Sequence, residues 1–186
     1  MVNPFSLPSP FAAVLLVASG LLLSGCCAND VCDCNDADAD AVELRFASSF
    51  SNTGLNTDLD TVVIQRFAVP LPTGGKPDVV TLIRTAARSR DSIRLNNGTP
   101  FPQISTTRLD GYRYVLQYYV TRPGNKPVLT TLLNISEIKL EGSIDGNGCC
   151  TCYNNSKKTV FTRRDGFSQD SAFDLKQAPR VLKVTK

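Results

Sequence analysis

The sequence contains no histidine and no tryptophan, and its one methionine is Met1. Histidine is the side chain that most often acts as general base, activates a nucleophile or binds zinc. Tryptophan is a common stacking platform for sugars and bases. No catalytic constellation or cofactor motif is left once these residues are excluded, and we therefore expect no enzyme activity and no cofactor.

Positive charge is missing from the first ten residues, although signal peptides usually begin with Lys or Arg. An uncharged run of thirteen apolar or small residues, Phe11–Leu23, follows directly. A helix that crosses a bilayer needs about 20 apolar residues, so this run is too short to span. Its length is that of the apolar region of a secretory signal, and we expect residues 1–25 to be a cleaved signal peptide.

The four residues at the end of this run, Leu23-Ser24-Gly25-Cys26, resemble the lipobox of bacterial lipoprotein precursors. The resemblance implies that diacylglycerol is attached to the Cys26 sulfur through a thioether and that the chain is cut before Cys26. Acyl chains of the palmitate type would then hold the mature protein on a membrane.

The acid-rich stretch after Cys26, together with the later segment LEGSIDGNGCCTCY, resembles uncharacterised envelope lipoproteins of the Bacteroidota type. Cys27 stands at the position where aspartate favours inner-membrane retention in proteobacterial lipoproteins. The resemblance therefore implies a lipid-anchored protein of the outer membrane, on either its periplasmic or its surface face, and implies no activity.

Six cysteines remain besides Cys26, in two clusters more than a hundred residues apart: Cys27, Cys32, Cys34, Cys149, Cys150 and Cys152. The number is even, and the cell envelope is oxidising, so disulfides are the first interpretation. Six cysteines allow 15 pairings, among which the sequence does not choose. The C-x-C in each cluster indicates that at least one bridge joins the clusters, because residues i and i+2 of a strand face the same side.

A thiolate metal site is the alternative interpretation of the same residues. Four sulfurs, those of Cys32, Cys34, Cys150 and Cys152, could bind zinc or copper(I). The usual zinc spacing is C-x₂₋₄-C, whereas these four candidate ligands stand as C-x-C in each cluster. The disulfide interpretation is favoured for this reason.

Charge is distributed unevenly along the mature chain. The segment 26–43 carries acids and no base, whereas the rest of the chain is basic. Runs of one charge are usually solvated, so we interpret residues 26–40 as an acidic, cysteine-rich tether. The basic remainder makes an anionic glycan or another envelope protein a candidate partner, and nucleic acid is not expected on an envelope protein.

The remaining residues, 41–186, predict a single all-β domain. Short segments in which apolar and polar residues alternate are separated by turn signals such as LPTGGKP and RPGNKP. The expected strands lie at residues 42–46, 62–67, 79–83, 92–95, 112–120, 128–133, 136–141, 159–163 and 180–185. We expect an antiparallel β-sandwich, immunoglobulin-like or transthyretin-like, of about 7–8 strands.

The segment 112–120 has tyrosine at four positions, and Tyr112, Tyr114 and Tyr118 share one face with Leu116. We interpret this stripe as part of the core and not as a ligand platform, since tyrosine rings fill cores while their hydroxyls reach the rim.

Three function classes remain open at this point. The first is a disulfide-linked binding or structural module at the envelope. The second is a thiolate metal-binding protein, and the third is a glycan-cleaving enzyme that uses carboxylates such as Glu137, Glu141 or Asp145. Nothing in the sequence marks these acids as a pair, so the first class is preferred.

Overall fold

The structure is a computed structural model that describes residue 34 and residues 36–52, 57–102, 107–120, 126–147, 150–163 and 169–186. The chain divides into two compact units. The first, the cysteine unit, comprises residues 1–34 and 144–152; the second, the sandwich unit, comprises residues 35–143 and 153–186. Among the described residues, no helix is long and apolar enough to cross a membrane.

Nearly all regular structure is β. The strands of the described residues are β1 (Val42–Phe46), β2 (Thr61–Ala68), β3 (Asp78–Ile83), β4 (Ile93–Leu95), β5 (Tyr112–Val120), β6 (Val128–Asn147), β7 (Cys150–Arg163), β8 (Ser171–Asp174) and β9 (Leu182–Val184). One short α-helix, α1 (Asp36–Ala39), precedes β1, and two 3₁₀ turns lie at Ala86–Arg88 and Leu109–Gly111.

These strands form two sheets, so the predicted all-β sandwich is confirmed. The smaller sheet has the order β4-β1-β9, and the larger has the order β3-β2-β5-β6-β7-β8. The registered pairs of the larger sheet are antiparallel. The smaller sheet departs from an all-antiparallel arrangement, because β9 pairs with β1 in parallel and sets Leu44 opposite Leu182.

The alternation predicted from the sequence decides which side chains enter the core. In β1, Val42, Leu44 and Phe46 are buried while the intervening Arg45 is exposed. Along β5 the even-numbered residues 112–118 are buried, so the tyrosine stripe is core as expected. The Tyr114 hydroxyl donates to the Leu109 carbonyl oxygen at 3.3 Å, which satisfies a polar group that would otherwise be costly to bury.

Three strands, β6, β7 and β8, differ from the prediction. The segments 128–133 and 136–141 belong to the single strand β6, whose pairing with β5 has a register shift between Leu116 and Gln117 that skips Leu132. Such a bulge disturbs the two-residue period on which the prediction depends. Strand β7 begins at Cys150 and not near residue 159. Strand β8 was not predicted, because all four of its residues are exposed. With the two expected segments merged into β6 and β8 added, the described residues form nine strands.

One cation lies inside the core. Arg66 on β2 is 2 % exposed, and its guanidinium carbon lies 4.4 Å from the ring centre of Phe101 and 4.8 Å from that of Tyr112. Its Nε donates to an Asp78 carboxylate oxygen at 2.8 Å. The ion pair with Asp78 and the two ring contacts offset the cost of desolvating this charge. The ion pair also connects the side chains of β2 and β3.

Candidate functional site

A disulfide joins the two cysteine clusters within the cysteine unit. It links Cys34 to Cys152 on β7, whose Cα atoms lie 5.3 Å apart and 118 residues apart in sequence. The expectation that a bridge connects the clusters is confirmed for this pair. In the chain-entropy model, closing a loop of this length restricts the unfolded chain enough to stabilise the fold by about 4–5 kcal/mol.

Cys150 presents a second bonded sulfur beside the first. Cys150 and Cys152 are both half-buried, and the intervening Thr151 is exposed, as expected for a C-x-C on a strand. Cys150 is also disulfide-bonded. Since Cys34 and Cys152 bond to each other, the partner of Cys150 is not among the described residues.

The other cysteines singled out by the sequence, Cys26, Cys27, Cys32 and Cys149, lie outside the described residues. Lipidation of Cys26 therefore stays a prediction, as do the pairings of the other three. The same holds for the signal peptide, residues 1–25.

The four-thiolate metal shell is incompatible with the bonded state of these cysteines. A sulfur must be a thiolate to bind zinc or copper(I). Of the four candidate ligands, Cys34, Cys150 and Cys152 are in disulfides. Over the described part of the chain, no group of three or more His, Cys, Asp or Glu side chains is placed to hold a metal ion.

The sandwich unit contains a buried polar network that the sequence does not reveal, centred on Asp40. The Asp40 side chain accepts a hydrogen bond from Asn155 Nδ2 at 2.7 Å through one oxygen and from Arg108 Nη2 at 2.9 Å through the other. Asp40 is 8 % exposed and Asn155 is 3 % exposed. Arg108 also donates to the Tyr153 hydroxyl at 3.3 Å. Sequence reasoning places Asp40 in a solvated tether, whereas here it is a buried anchor.

Two neighbouring contacts hold the same stretch of chain. Asp38 on α1 pairs with Arg94 at 2.7 Å, and Lys158 Nζ donates to the Ala41 carbonyl oxygen at 2.8 Å. Burial lowers the pKa of Lys158, and the charge of Asp40 acts in the opposite direction. The described end of the acidic segment is therefore fixed by the sandwich and is not a free arm.

The Asn155 amide oxygen is the exception in this network. It is buried and has no hydrogen-bond partner, while the amide nitrogen of the same side chain binds Asp40. Exchanging the two atoms would set oxygen against carboxylate oxygen, so the Asp40 contact fixes the amide orientation. In this orientation the Asn155 amide oxygen is buried without a hydrogen bond, which lowers the stability of the fold.

The three carboxylates considered for catalysis are not seen to face one another as a catalytic pair in the described part of the chain. Glu141 on β6 binds Lys157 at 2.6 Å, and Glu137 lies 3.4 Å from Lys139. Asp145 is exposed and belongs to the cysteine unit. Glu137 and Glu141 are therefore each paired with a lysine at the surface, whereas glycoside hydrolysis uses two carboxylates that flank one bond.

The densest basic group of the sequence is engaged within the protein. Lys157 pairs with Glu141, Lys158 binds the Ala41 carbonyl oxygen, and Arg163 pairs with Asp170 at 2.7 Å. Arg164 lies outside the described residues. Lys157 and Arg163 therefore already have counter-charges within the chain, which an external anion at this group would have to displace.

Two cavities of the sandwich unit open between edge strands of the two sheets. One, of about 210 Å³, lies beside β8 and β9 and is lined by residues such as Leu132, Phe173 and Leu182. The other, of about 360 Å³, lies beside β3 and β4 and is lined by Leu82, Ile93 and their neighbours. Neither cavity is lined by two carboxylates, which glycoside hydrolysis normally requires.

No protein-family model, curated protein or solved structure matches this chain. The resemblance to bacterial lipoproteins therefore depends on the residues of the lipobox, and function has to be argued from the chain's own sites.

Proposed function

We propose that this chain is a lipid-anchored, non-enzymatic binding or structural module of the bacterial cell envelope. The lipobox Leu23-Ser24-Gly25-Cys26 supplies the anchor, and Cys26 is its lipidated residue. The observation that carries the proposal is the Cys34–Cys152 disulfide, which fits an oxidising compartment and begins only eight residues after Cys26.

The disulfide shortens the tether that the sequence predicts. Sequence reasoning assigns residues 26–40 to the tether, but Cys34 is bonded to β7 and Asp38 and Asp40 are paired within the sandwich unit. At most residues 27–33 lie between the lipid and a covalent link to the domain. A fully extended chain covers at most about 3.6 Å per residue, so Cys34 can lie no more than about 29 Å from Cys26.

A non-catalytic role is supported by the state of the side chains that chemistry would need. The described cysteines are bonded, and Glu137 and Glu141 each lie beside a lysine. Histidine is absent from the whole sequence. A glycan-cleaving activity that disappears in Glu137→Gln or Glu141→Gln would contradict this part of the proposal.

The anchor is tested by detergent-phase partitioning of the protein expressed from its full sequence in a bacterial host. We expect the wild type in the detergent phase, Cys26→Ala in the aqueous phase or retained as uncleaved precursor, and the control Cys27→Ala in the detergent phase. Mass spectrometry of the N-terminal peptide identifies the diacylglycerol. Detergent partitioning of a cleaved Cys26→Ala protein would refute the lipid anchor.

The disulfide is tested separately by counting free thiols in the native, unreduced protein. We expect Cys34 and Cys152 to resist alkylation until a reductant is added. Six reactive thiols in the mature chain before reduction would refute the covalent link and reopen the metal hypothesis, which elemental analysis would then test.

A further inference from the structure

The β3 edge of the larger sheet lacks the features that usually protect a sheet edge. Edge strands normally carry charges, prolines or bulges, or are very short. The other edges have such protection: β4, β8 and β9 have three or four residues each, and each includes Arg94, Asp174 or Lys183. By contrast, β3 has six residues, its one charge is Asp78 at its first residue, which pairs with Arg66 of β2, and residues 79–83 read Val-Val-Thr-Leu-Ile.

The register of β3 with β2 shows which backbone groups face outward. Arg84 N–H donates to the Asp60 carbonyl oxygen, and Ile83 lies opposite Thr61. Because hydrogen-bonded and non-hydrogen-bonded pairs alternate in an antiparallel ladder, the N–H and C=O groups of Val79, Thr81 and Ile83 point away from β2. Within the described part of the chain, no other strand pairs with β3.

The side chains at these three positions are also exposed. Ile83 is 83 % exposed and Val79 is 48 % exposed, so β-branched side chains line an open edge. They lie on the outer face of the sheet beside uncharged neighbours of β2 and β5, among them the Gln65 amide, which donates to Gln117 at 3.2 Å. The charge of Arg113 lies farther along this face, over the ring of Phe67. An uncharged strip next to an open edge favours strand addition.

We propose that β3 is a self-association edge, where β3 of a second copy of this chain adds antiparallel with Thr81 on the two-fold axis. This register pairs Val79 with Ile83 of the second copy and Thr81 with Thr81. All three outward-facing residues of each strand then form hydrogen-bonded pairs. Shifting the register by two residues leaves one of these residues opposite Pro77, which has no N–H, or opposite Thr85.

Charge complementarity favours a second copy as the occupant. In this register Asp78 of one strand lies opposite Arg84 of the other at both ends of the pair. The Asp78 carboxylate also accepts from Arg66 of its own chain but is 40 % exposed, and Arg84 donates to the uncharged carbonyl oxygens of Leu59 and Asp91, so opposite charges face each other twice. On the inner face, Val80 lies opposite Leu82 of the second copy. The cavity of about 360 Å³ beside Leu82 and Ile93 supplies the space into which these side chains would point.

The test measures mass as a function of concentration for the mature protein, by analytical ultracentrifugation in a density-matched detergent. We expect the wild-type mass to rise from one copy toward two. Thr81→Pro removes the outward N–H but leaves the β2 ladder intact, and we expect it to raise the dissociation constant at least about tenfold. The control Thr81→Val keeps the N–H and should associate like the wild type, and both variants should unfold at similar temperatures.

Two double variants test the register. Val79→Lys with Ile83→Glu places opposite charges across the axis and should preserve the dimer. Val79→Lys with Ile83→Lys places like charges there and should give a monomer. A monomeric wild type at every concentration, an unaffected Thr81→Pro protein, or equal behaviour of the two double variants would overturn the proposal. None of these readouts depends on whether Cys26 is lipidated, because each variant is compared within the same preparation.

Discussion

Replacing Asp40 with alanine should destabilise the sandwich unit by about 2–4 kcal/mol. The substitution leaves Asn155, which is 3 % exposed, without its carboxylate partner, and a hydrogen bond to a buried charged group contributes about 1.5–3 kcal/mol. It also removes the pair with Arg108, whose side chain is 49 % exposed, and a pair this open adds at most about 1 kcal/mol. The Asn155 contact therefore dominates the loss.

Asp40→Asn is the matched control for this prediction. With an amide at position 40, Asn155 can exchange its amide atoms, so that its unpaired oxygen accepts from the new NH₂ group while Arg108 still donates to the new carbonyl oxygen. We expect this variant to lose only charge assistance, about 1–2 kcal/mol.

Urea denaturation of the two variants beside the wild type measures both losses. In a thermal melt, a loss of about 3 kcal/mol would appear as a fall in melting temperature of roughly 6–12 °C for a domain of this size. Equal stability of Asp40→Ala and wild type, within about 0.5 kcal/mol, would refute the buried anchor and return Asp40 to a solvated tether.

Leu44→Ala should lower the free energy of unfolding by about 2–5 kcal/mol, because Leu44 is fully buried; a loss below about 1 kcal/mol in urea denaturation would contradict its place in the core. The hydrogen bond to Asp58 raises the pKa of Lys186, so the stability it provides is present below about pH 10 and is lost as pH rises through the raised pKa. Lys186→Gln should flatten that alkaline loss, and an unchanged pH profile would exclude the contact. The hydrogen bond from Ser136 lowers the pKa of Asp170, so its contribution is present above about pH 4 and is lost on acidification. Asp170→Asn should remove that part of the acid dependence, measured as denaturation midpoint against pH, and an identical acid limb would contradict it.

The fold class could be predicted because its signal is local. Residues such as Val42, Leu44 and Phe46 alternate with polar neighbours, and the structure buries them as the two-residue period requires. The parallel pairing of β1 with β9 has no such signal, since it joins residues about 140 positions apart in sequence. Strand β8 has no buried face and so no alternation to detect.

The candidate site could be predicted only in part, and for the same reason. Two cysteine clusters that each contain C-x-C predict a bridge, but only the folded chain selects Cys34 and Cys152 from the possible pairs. Asp40 reads as one acid in an acidic run, because its partners Arg108 and Asn155 lie 68 and 115 residues away. The open β3 edge had a signal in the uncharged and mostly β-branched run at residues 79–83, whereas nothing in the sequence places that run at the end of a sheet.

A short tether and an open edge would reinforce each other in the envelope. Pairing along one edge strand forms a small interface, and small interfaces are weak when the partners diffuse freely. Anchoring both copies to one membrane confines them to a thin layer and raises the concentration that each presents to the other. The Cys34–Cys152 bridge allows at most residues 27–33 as a spacer between a lipid on Cys26 and the domain, which would keep that layer thin. Under these proposals, the lipid anchor would also determine how far the β3 edges of two copies pair with each other.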